Sequence, residues 1–243
     1  MIESQNLTPP TRALAVGAHF DDIEFGCGAT LAKWASAGTE VHCCVLTDGS
    51  KGTWDPDRDL ANLVAERRRE QEAAADVLGV KAVHFLEFVD GELVDGIDQR
   101  AALSAVIREA KPDVVLGHDP WKRYRVHPDH AAAGHLTINA IVAARDPHFF
   151  PNQGEPHRPT TLLLFEAEEQ DHVEDAETFL EKKVEALLAH KSQWKSTMGI
   201  DEDSPAAADQ RAAFKVQIAQ AARAAGQHAG LASAEAFKRI EPL

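Results

Sequence analysis

The stretch ALAVGAHFDDIEFGCG, residues 13–28, decides the fold that this sequence predicts. Its first six residues, 13–18, are small and apolar, which is typical of a buried β-strand. Three polar side chains, His19, Asp21 and Asp22, follow at once. In open α/β sheets, ligands bind in the loops at the carboxyl ends of the parallel strands. The stretch therefore predicts an α/β fold with a functional site at the end of its first strand.

The alternation of short apolar runs with longer amphipathic segments continues along the chain and predicts one domain over residues 1–243. Further strands are expected at 41–47, 82–88, 114–117 and 162–165, and helices at 29–37, 60–78, 99–110, 129–144, 176–189 and 206–224. This order favours a doubly wound, mostly parallel sheet with helices on both faces and right-handed crossovers. Residues 1–11 are polar and are expected to form a flexible N-terminal extension.

Composition excludes several classes of partner. The chain carries 25 Lys and Arg against 39 Asp and Glu, a net charge of −14, and such a surface repels nucleic acid and anionic membranes. No run approaches the ~18 apolar residues of a membrane span, and the polar N-terminus lacks the apolar core of a signal peptide. The three cysteines, Cys27, Cys43 and Cys44, suggest no disulfide framework, so we expect a reducing, cytoplasmic location.

The first polar cluster, His19, Asp21 and Asp22, can hold a divalent metal through one imidazole and one carboxylate, which leaves the second carboxylate free as a base. Helix capping is the structural alternative, because an Asp between a strand and a helix often accepts backbone N–H groups. Capping explains one Asp but not two with a His. Dinucleotide binding is a second alternative, but the nearby glycines do not have the G-x-G-x-x-G spacing, and the acidic pair would repel a pyrophosphate.

A second polar cluster, HPDH at residues 127–130, follows the strand predicted at 114–117. His127 and His130 lie one helical turn apart on the same face, so one can bind a metal while the other acts on a substrate. Asp129 can orient an imidazole. The first and fourth strands of a doubly wound sheet are often neighbours where strand order reverses, so both clusters are expected to converge. Two histidines and one carboxylate leave a coordination position open, as in catalytic zinc sites.

With these motifs the sequence resembles the PIG-L/LmbE-like family of zinc-dependent N-acetylglucosamine deacetylases. The resemblance rests on AHFDDIEFGCG at 18–28 and HPDH at 127–130, and extends through TDG at 47–49, RRRE at 67–70 and HKSQ at 190–193. It implies a Rossmann-like fold, in agreement with the strand–helix alternation. Phe20 stands where the family usually has Pro, which removes no ligand but alters the shape expected for the pocket.

The resemblance also implies a role for each site residue. One zinc ion per chain, or another divalent transition metal, is held by His19, Asp22 and His130. The remaining roles are general base for the attacking water (Asp21), polarisation of the amide carbonyl (His127), support of that histidine (Asp129) and substrate contact (Arg67). Members of the family are often homo-oligomers, some of them hexamers, and the helix at 206–224 is a candidate interface. Packing of that helix on the sheet is the alternative.

Three functions remain open from the sequence. The first is removal of an acetyl group from an N-acetylglucosamine-type sugar or a related small molecule. The second is amide hydrolysis of a thiol conjugate or a natural-product intermediate on the same zinc scaffold. The third is a protein that keeps the metal site for structure or sensing, but Asp21, which the metal does not need as a ligand, argues against it. Substrate specificity is expected in the loops at 48–59 and 145–159.

Overall fold

The structure, a computed structural model, describes residues 2–243, which fold around one eight-stranded sheet. The strands are β1 (Ser4–Gln5), β2 (Arg12–Gly17), β3 (Glu40–Thr47), β4 (Ala82–Phe88), β5 (Val114–His118), β6 (Thr161–Phe165), β7 (His172–Asp175) and β8 (Ala234–Ile240). The α-helices are α1 (Asp22–Ser36), α2 (Leu60–Leu78), α3 (Ile97–Ala110), α4 (Pro128–Arg145), α5 (Leu180–Ala189) and α6 (Ala207–Gln227). Within this part of the chain, the helices are too short or too polar to span a membrane.

The sheet is doubly wound, and its strand order is β1-β7-β8-β6-β5-β2-β3-β4. β2 pairs in parallel with β3 on one side and with β5 on the other, so the chain first builds outward through β3 and β4 and then reverses through β5 and β6. The predicted α/β sheet is confirmed, and the first and fourth predicted strands are neighbours. The loops that follow β2 and β5 therefore open into the same crevice.

Helices cover both faces of the sheet and create two apolar layers. On one face, the β-strand residues Leu14 and Val115 pack with Leu103 of α3 and Leu136 of α4. On the other face, the layer includes Ile23, Leu31 and Trp34 of α1, packed against the alternate residues of the same strands. Successive residues of β2 point to opposite faces of the sheet and are buried in both layers. A shift of the strand by one residue would exchange the two sets, so its register is fixed.

Three strands were not expected from the sequence. β7 and β8 extend the sheet beyond β6, and β8 runs antiparallel to both β6 and β7. β1 lies within the predicted flexible extension, yet Ser4–Gln5 pairs in parallel with β7, so the prediction differs from the structure at these residues. Charged residues interrupt the apolar pattern of β7 and β8, and their partners lie far away in sequence, so local periodicity does not reveal them.

Helix α1 begins seven residues before the predicted start at residue 29 and runs directly from the first polar cluster. Gly26 and Gly28 make this segment a poor helix by local propensity. The fold nevertheless requires glycine here, because a Cβ at Gly26 would lie 2.5 Å from the Phe165 ring at the end of β6. This close packing outweighs the low helix propensity of the segment. The helix is kinked at Cys27, whose φ is −151°. The close approach to Phe165 brings the start of α1 against the carboxyl end of the sheet.

The long connection predicted at 145–159 lies at the opposite end of the sheet from the first cluster. Its last residues approach the start of β5, where Thr160 donates its backbone N–H to Asp113 O. The buried guanidinium of Arg108 donates to backbone carbonyls of α4 and of this connection, among them those of Ala144 and Phe150. The connection is therefore pinned at the amino ends of the strands, and the expectation that it controls specificity is wrong.

Candidate active site

The predicted metal ligands converge at the carboxyl ends of β2 and β5. His19 Nδ1 lies 3.2 Å from His130 Nε2 and 3.3 Å from Asp22 Oδ2, and His130 Nε2 lies 3.2 Å from Asp22 Oδ1. Atoms bound at ~2.0–2.1 Å around a tetrahedral zinc ion are about 3.3–3.4 Å apart. The contacts among the three side chains match this spacing, with Asp22 facing His19 through Oδ2 and His130 through Oδ1.

The three predicted ligands come from different parts of the chain that meet at this edge of the sheet. His19 lies in the loop after β2, Asp22 is the first residue of α1, and His130 lies in the first turn of α4. Asp22 Oδ2 also accepts the backbone N–H of His19 at 2.7 Å, which closes the loop on itself. Pro128 fits at the start of α4, where its missing N–H leaves no helical hydrogen bond unmade.

The second nitrogen of His19 is held by carboxylates. His19 Nε2 lies 3.0 Å from Asp129 Oδ2 and 3.2 Å from Asp90 Oδ1, beyond the end of β4. Burial alone would lower the pKa of His19, but its hydrogen bonds to Asp129, Asp22 and Asp90 raise it to about 12. Because carboxylates occupy Nε2, Nδ1 is the His19 atom available to a metal ion. A metal ion bound there would displace the Nδ1 proton.

Asp129 orients an imidazole, as predicted, but that imidazole belongs to His19. The Asp129 carboxylate is fully buried and also accepts the backbone N–H groups of Gly91 at 2.7 Å and Leu93 at 3.2 Å. Through these bonds it ties α4 to the loop after β4. The resemblance assigned Asp129 to His127, and the structure differs because the first turn of α4 points the two side chains to different neighbours.

The Asp21 side chain does not cap the helix that begins beside it. It is the N-cap residue of α1 with φ of 87°, and its side chain makes no capping hydrogen bond to this helix. Burial, together with the charge of Asp22, raises the pKa of the Asp21 carboxyl to about 7. A carboxyl with such a pKa can both accept and return a proton near neutral pH. Asp22, the next residue, instead faces the imidazoles of His19, His118 and His130.

His127 lies at the exposed rim of the cluster. Its ring centroid is 4.5 Å from that of His19 and 5.1 Å from that of His130. Burial and the nearby charge of His19 lower its pKa. The imidazole is therefore neutral near pH 7 and can donate an N–H to a substrate oxygen. The three histidines also form one of the groups whose ligand atoms lie within 4.8 Å of one another.

Three residues that sequence reasoning left without a role join the cluster. His118, the last residue of β5, is buried and places Nε2 3.2 Å from Asp22 Oδ2 and Nδ1 3.7 Å from Glu166 Oε2. Arg125 pairs with Glu166, which follows β6, and donates from Nε to His130 Nδ1 at 2.8 Å. The position of His118 directly after an apolar strand was the signal available in the sequence.

Arg67, the predicted substrate contact, is buried beneath the loops. It donates to Gly49 O at 2.7 Å and to Phe20 O at 3.2 Å, and its guanidinium lies 5.0 Å from the centre of the Phe20 ring. Phe20 is buried and stacks on Phe85. Both residues therefore shape the backbone next to Asp21, and a direct contact of Arg67 with substrate stays a prediction.

A second buried pair lies behind Asp21. His190 Nε2 is 3.5 Å from Glu24 Oε2, and Gln71 Nε2 donates to Glu24 Oε1 at 2.6 Å. Gln71 Oε1 in turn accepts the backbone N–H of Asp21 at 3.4 Å. The pattern HKSQ at 190–193 marked this region in the sequence, but its contact with α1 is a tertiary feature.

Exposed aromatic side chains occur in the loops that follow β3 and β5. Trp54 is 86% exposed in the loop after β3, and Trp121 and Tyr124 are 60% and 94% exposed in the loop after β5. Trp54 lines a depression of about 570 Å³ together with Lys191 and Ser192. The Gly52 carbonyl on its wall accepts from Gln193 Nε2, so the loop after β3 and the segment after α5 form one surface.

Comparison with known proteins identifies relatives of this chain. The family model described as "PIG-L: GlcNAc-PI de-N-acetylase" matches residues 14–141, which is a little over half of the chain. Diacetylchitobiose deacetylase of Thermococcus kodakarensis is 34% identical over 189 residues, which cover 75% of this chain and 70% of that protein. The residues matched by the family model include β5 and both polar clusters.

Two further similarities extend this result. The 1D-myo-inositol 2-acetamido-2-deoxy-alpha-D-glucopyranoside deacetylase of Streptomyces avermitilis is 34% identical over 174 residues, which cover 61% of this chain and 58% of that longer protein. N,N'-diacetylchitobiose deacetylase from Pyrococcus horikoshii has a structure that superimposes with a TM-score of 0.84 at 28% identity, over 96% of this chain and 84% of that one.

Proposed function

The chain belongs to the PIG-L family of de-N-acetylases, and we propose that it hydrolyses the acetamide of an N-acetylglucosamine-type sugar or a related small molecule. The relatives in Thermococcus and Streptomyces are named for deacetylation of N-acetylated amino sugars. Water would add to the carbonyl carbon, the C–N bond would break, and acetate and a free amine would leave. The enzyme would therefore be a hydrolase of a linear, non-peptide amide.

One observation supports the proposal: the buried Asp21 carboxyl, which makes no capping hydrogen bond to α1, lies beside Asp22, one of the proposed metal ligands. Asp21 has a pKa of about 7 and makes no capping hydrogen bond, so within the described chain its side chain is free for proton transfer. A purely structural metal site needs no such group. The arrangement supports catalysis over the alternative of a metal kept for structure or sensing.

We further propose that the metal is zinc, one ion per chain, held by His19, Asp22 and His130. Two imidazoles, one carboxylate and an open position are the donor set of catalytic zinc sites, and another divalent transition metal is the alternative. When bound, zinc supplies Lewis-acid chemistry, lowering the pKa of water to roughly 7 and polarising a carbonyl. Three buried free thiols, Cys27, Cys43 and Cys44, support the proposed cytoplasmic location.

The remaining residues divide the work of proton transfer and charge stabilisation. Asp21 takes the proton of the attacking water at its carboxyl and returns it to the nitrogen of the leaving amine as the C–N bond breaks. His127, neutral because its pKa is lowered, donates an N–H to the carbonyl oxygen as negative charge develops there. Loss of one such donor typically costs ~10²–10³ in rate. Asp129 and Asp90 keep the ring of His19 fixed, which holds the whole constellation in place.

A substrate panel tests this function. Zinc-loaded protein is assayed for amine release from N-acetylglucosamine, diacetylchitobiose and N-acetylglucosaminyl inositol, and in parallel from acetylated thiol conjugates and simple acetamides. We expect turnover of the sugars that disappears in the Asp21→Asn variant. Turnover confined to thiol conjugates would favour the second function predicted from the sequence. Zinc-loaded protein that hydrolyses none of these amides would overturn the proposal.

A further inference from the structure

A second pair of histidines lies on the sheet, far from the cluster described above. His42 is the third residue of β3, and His84 is the third residue of β4, the edge strand. Five residues separate His42 from Thr47 at the end of β3, which at ~3.3 Å per residue is roughly 16 Å along the strand. The pair therefore lies near the amino ends of the strands, at the opposite end of the sheet from the candidate active site.

The two imidazoles face each other at the spacing of metal ligands. His42 Nδ1 lies 3.1 Å from His84 Nε2, and the rings are stacked with an interplanar angle of 15° and centroids 5.4 Å apart. The other nitrogen of His42, Nε2, lies 3.1 Å from Glu40 Oε1. Because the carboxylate accepts the Nε2 proton, the Nδ1 of His42 presents its lone pair toward His84.

This arrangement repeats part of the active site, atom by atom. In both places Nδ1 of one histidine lies close to Nε2 of another, at 3.2 Å for His19 and His130 and at 3.1 Å for His42 and His84. In both places a carboxylate holds Nε2 of the first histidine, which is the carboxylate–histidine–metal pattern. What the second pair lacks is a counterpart of Asp22.

The surroundings allow an ion to reach the pair. The His42 side chain is 11% exposed, and Glu40 is 49% exposed, so the pair lies at the surface of the sheet edge. Burial and the neighbouring His42 lower the pKa of His84, which keeps its imidazole neutral at pH 7. The hydrogen bond with His42 lowers the pKa of Glu40, which keeps that carboxylate ionised.

We propose that His42 and His84 bind a second divalent transition-metal ion, through Nδ1 of His42 and Nε2 of His84, with water completing the coordination. Imidazole pairs suit Zn²⁺, Ni²⁺ and Cu²⁺, with Cu²⁺ bound most tightly. Before binding, the proton between the rings is on His84 Nε2. On binding, it moves to Nδ1 of the same ring, so His84 changes tautomer and no net proton is released. The site does not depend on the proposed deacetylase activity.

Equilibrium dialysis counts the ions. At a fixed micromolar concentration of free Zn²⁺, we expect the wild-type chain to bind a second equivalent that His42→Asn, His84→Asn and the double variant lose. Glu40→Gln should weaken this binding by about 10-fold, the lower end of the range for a carboxylate that orients a ligand. His148→Asn, an exposed histidine at the same end of the molecule, is the matched control and should change nothing.

Nitrogen-15 NMR of the imidazoles provides a second readout that a misfolded variant cannot mimic. In the wild type, Zn²⁺ should convert His84 from the Nε2–H to the Nδ1–H tautomer, and Asp22→Ala should leave this conversion intact. A double variant that binds as many equivalents as the wild type, or an unchanged His84 tautomer, would each overturn the proposal.

Discussion

Two sets of buried charges in this molecule differ in how their members are paired. At the antiparallel edge of the sheet, Glu235 of β8 accepts the backbone N–H groups of Ala29 at 3.1 Å and Thr30 at 2.7 Å. It also accepts from Lys183 Nζ of α5 at 2.6 Å. The carboxylate thereby joins β8 to α1 and α5, and it receives both hydrogen bonds and an opposite charge.

At the candidate active site, one carboxylate is instead shared by several imidazoles. The Asp22 carboxylate faces three imidazoles, His19, His118 and His130, at 3.2–3.3 Å. Nearby, Asp21 lies beside Asp22, and burial together with the charge of Asp22 raises the pKa of Asp21. Buried charges that only stabilise a fold are paired. Imidazole and carboxylate groups that meet at one point are instead suited to binding a cation. The contrast distinguishes an ion pair that stabilises the fold from a cluster that can bind a metal.

The largest contrast is expected from Asp22→Ala, which removes the carboxylate shared by the three imidazoles. Without it, His19 and His130 are two ligands instead of three, so we expect exhaustively dialysed protein to lose its zinc and its deacetylase activity to reach background. Elemental analysis and an amine-release assay measure both. Zinc content equal to that of the wild type would show that this carboxylate is not a ligand.

Asp21→Asn should separate the chemistry from the metal. General-base catalysis is typically worth ~10²–10⁴-fold, so we expect a loss of this size in kcat with zinc content unchanged. Asn retains the size of Asp and one acceptor oxygen, so the fold should persist. If the zinc-replete variant turned over near the wild-type rate, Asp21 would be no base, and the difference between the two neighbouring carboxylates would disappear.

Glu235→Ala should act on stability alone. It leaves the Lys183 ammonium buried without its carboxylate, and breaking a buried pair in this way costs about 3–5 kcal/mol. Urea unfolding measures the change, and Glu181→Ala, an exposed residue on the same helix as Lys183, is the control, expected within ~0.5 kcal/mol of wild type. Zinc per folded chain should not change. A stability loss as small as that of the control would show that the ion pair of Glu235 with Lys183 does not stabilise the fold.

Asp129→Asn tests whether the carboxylate that holds His19 contributes to metal binding at the candidate active site. Asn can still accept one backbone N–H from the loop after β4, but it no longer fixes the ring of His19 with a charge. Loss of such an orienting group typically costs ~10–100-fold in metal affinity. Competition with a chelator gives the affinity, and an unchanged value would show that the backbone alone positions His19.

The smallest effect is expected from Glu174 of β7, which accepts from His172 Nε2 at 2.8 Å and from Lys33 Nζ at 2.5 Å. Burial would raise the pKa of Glu174, but these bonds and the charge of Lys33 hold it below its usual value. The carboxylate therefore stabilises the fold above its unfolded pKa of ~4.3, and this contribution disappears as the pH falls toward the folded pKa.

Glu174→Gln cannot lose a charge in acid, so its melting temperature should fall less than that of the wild type between pH 7 and pH 4. At pH 7 the variant should be the less stable of the two, because Lys33 then lacks its partner. Thermal unfolding by circular dichroism at both pH values gives the comparison. Parallel melting curves at every pH would mean that Glu174 titrates alike in the folded and unfolded chain.

From the sequence alone came the alternating α/β order and the residues proposed as metal ligands. Both depend on local information: periodicity of apolar residues defines β2 to β6, and polar residues directly after β2 and β5 mark the edge of the sheet. The neighbouring positions of those two strands followed from the rules of parallel sheets. For this reason His19, Asp22 and His130 could be named before their distances were known.

Only the tertiary structure decided which side chains meet around those ligands. His118 was visible after β5 but acquired a role only through Asp22, and Asp129 was seen to hold His19 only when α4 packed against the loop after β4. β7 and β8 escaped prediction because their buried carboxylates, Glu174 and Glu235, look solvent-exposed in sequence. Their charges are tolerated through partners 50 to 200 residues away, and no local pattern encodes a contact at that distance.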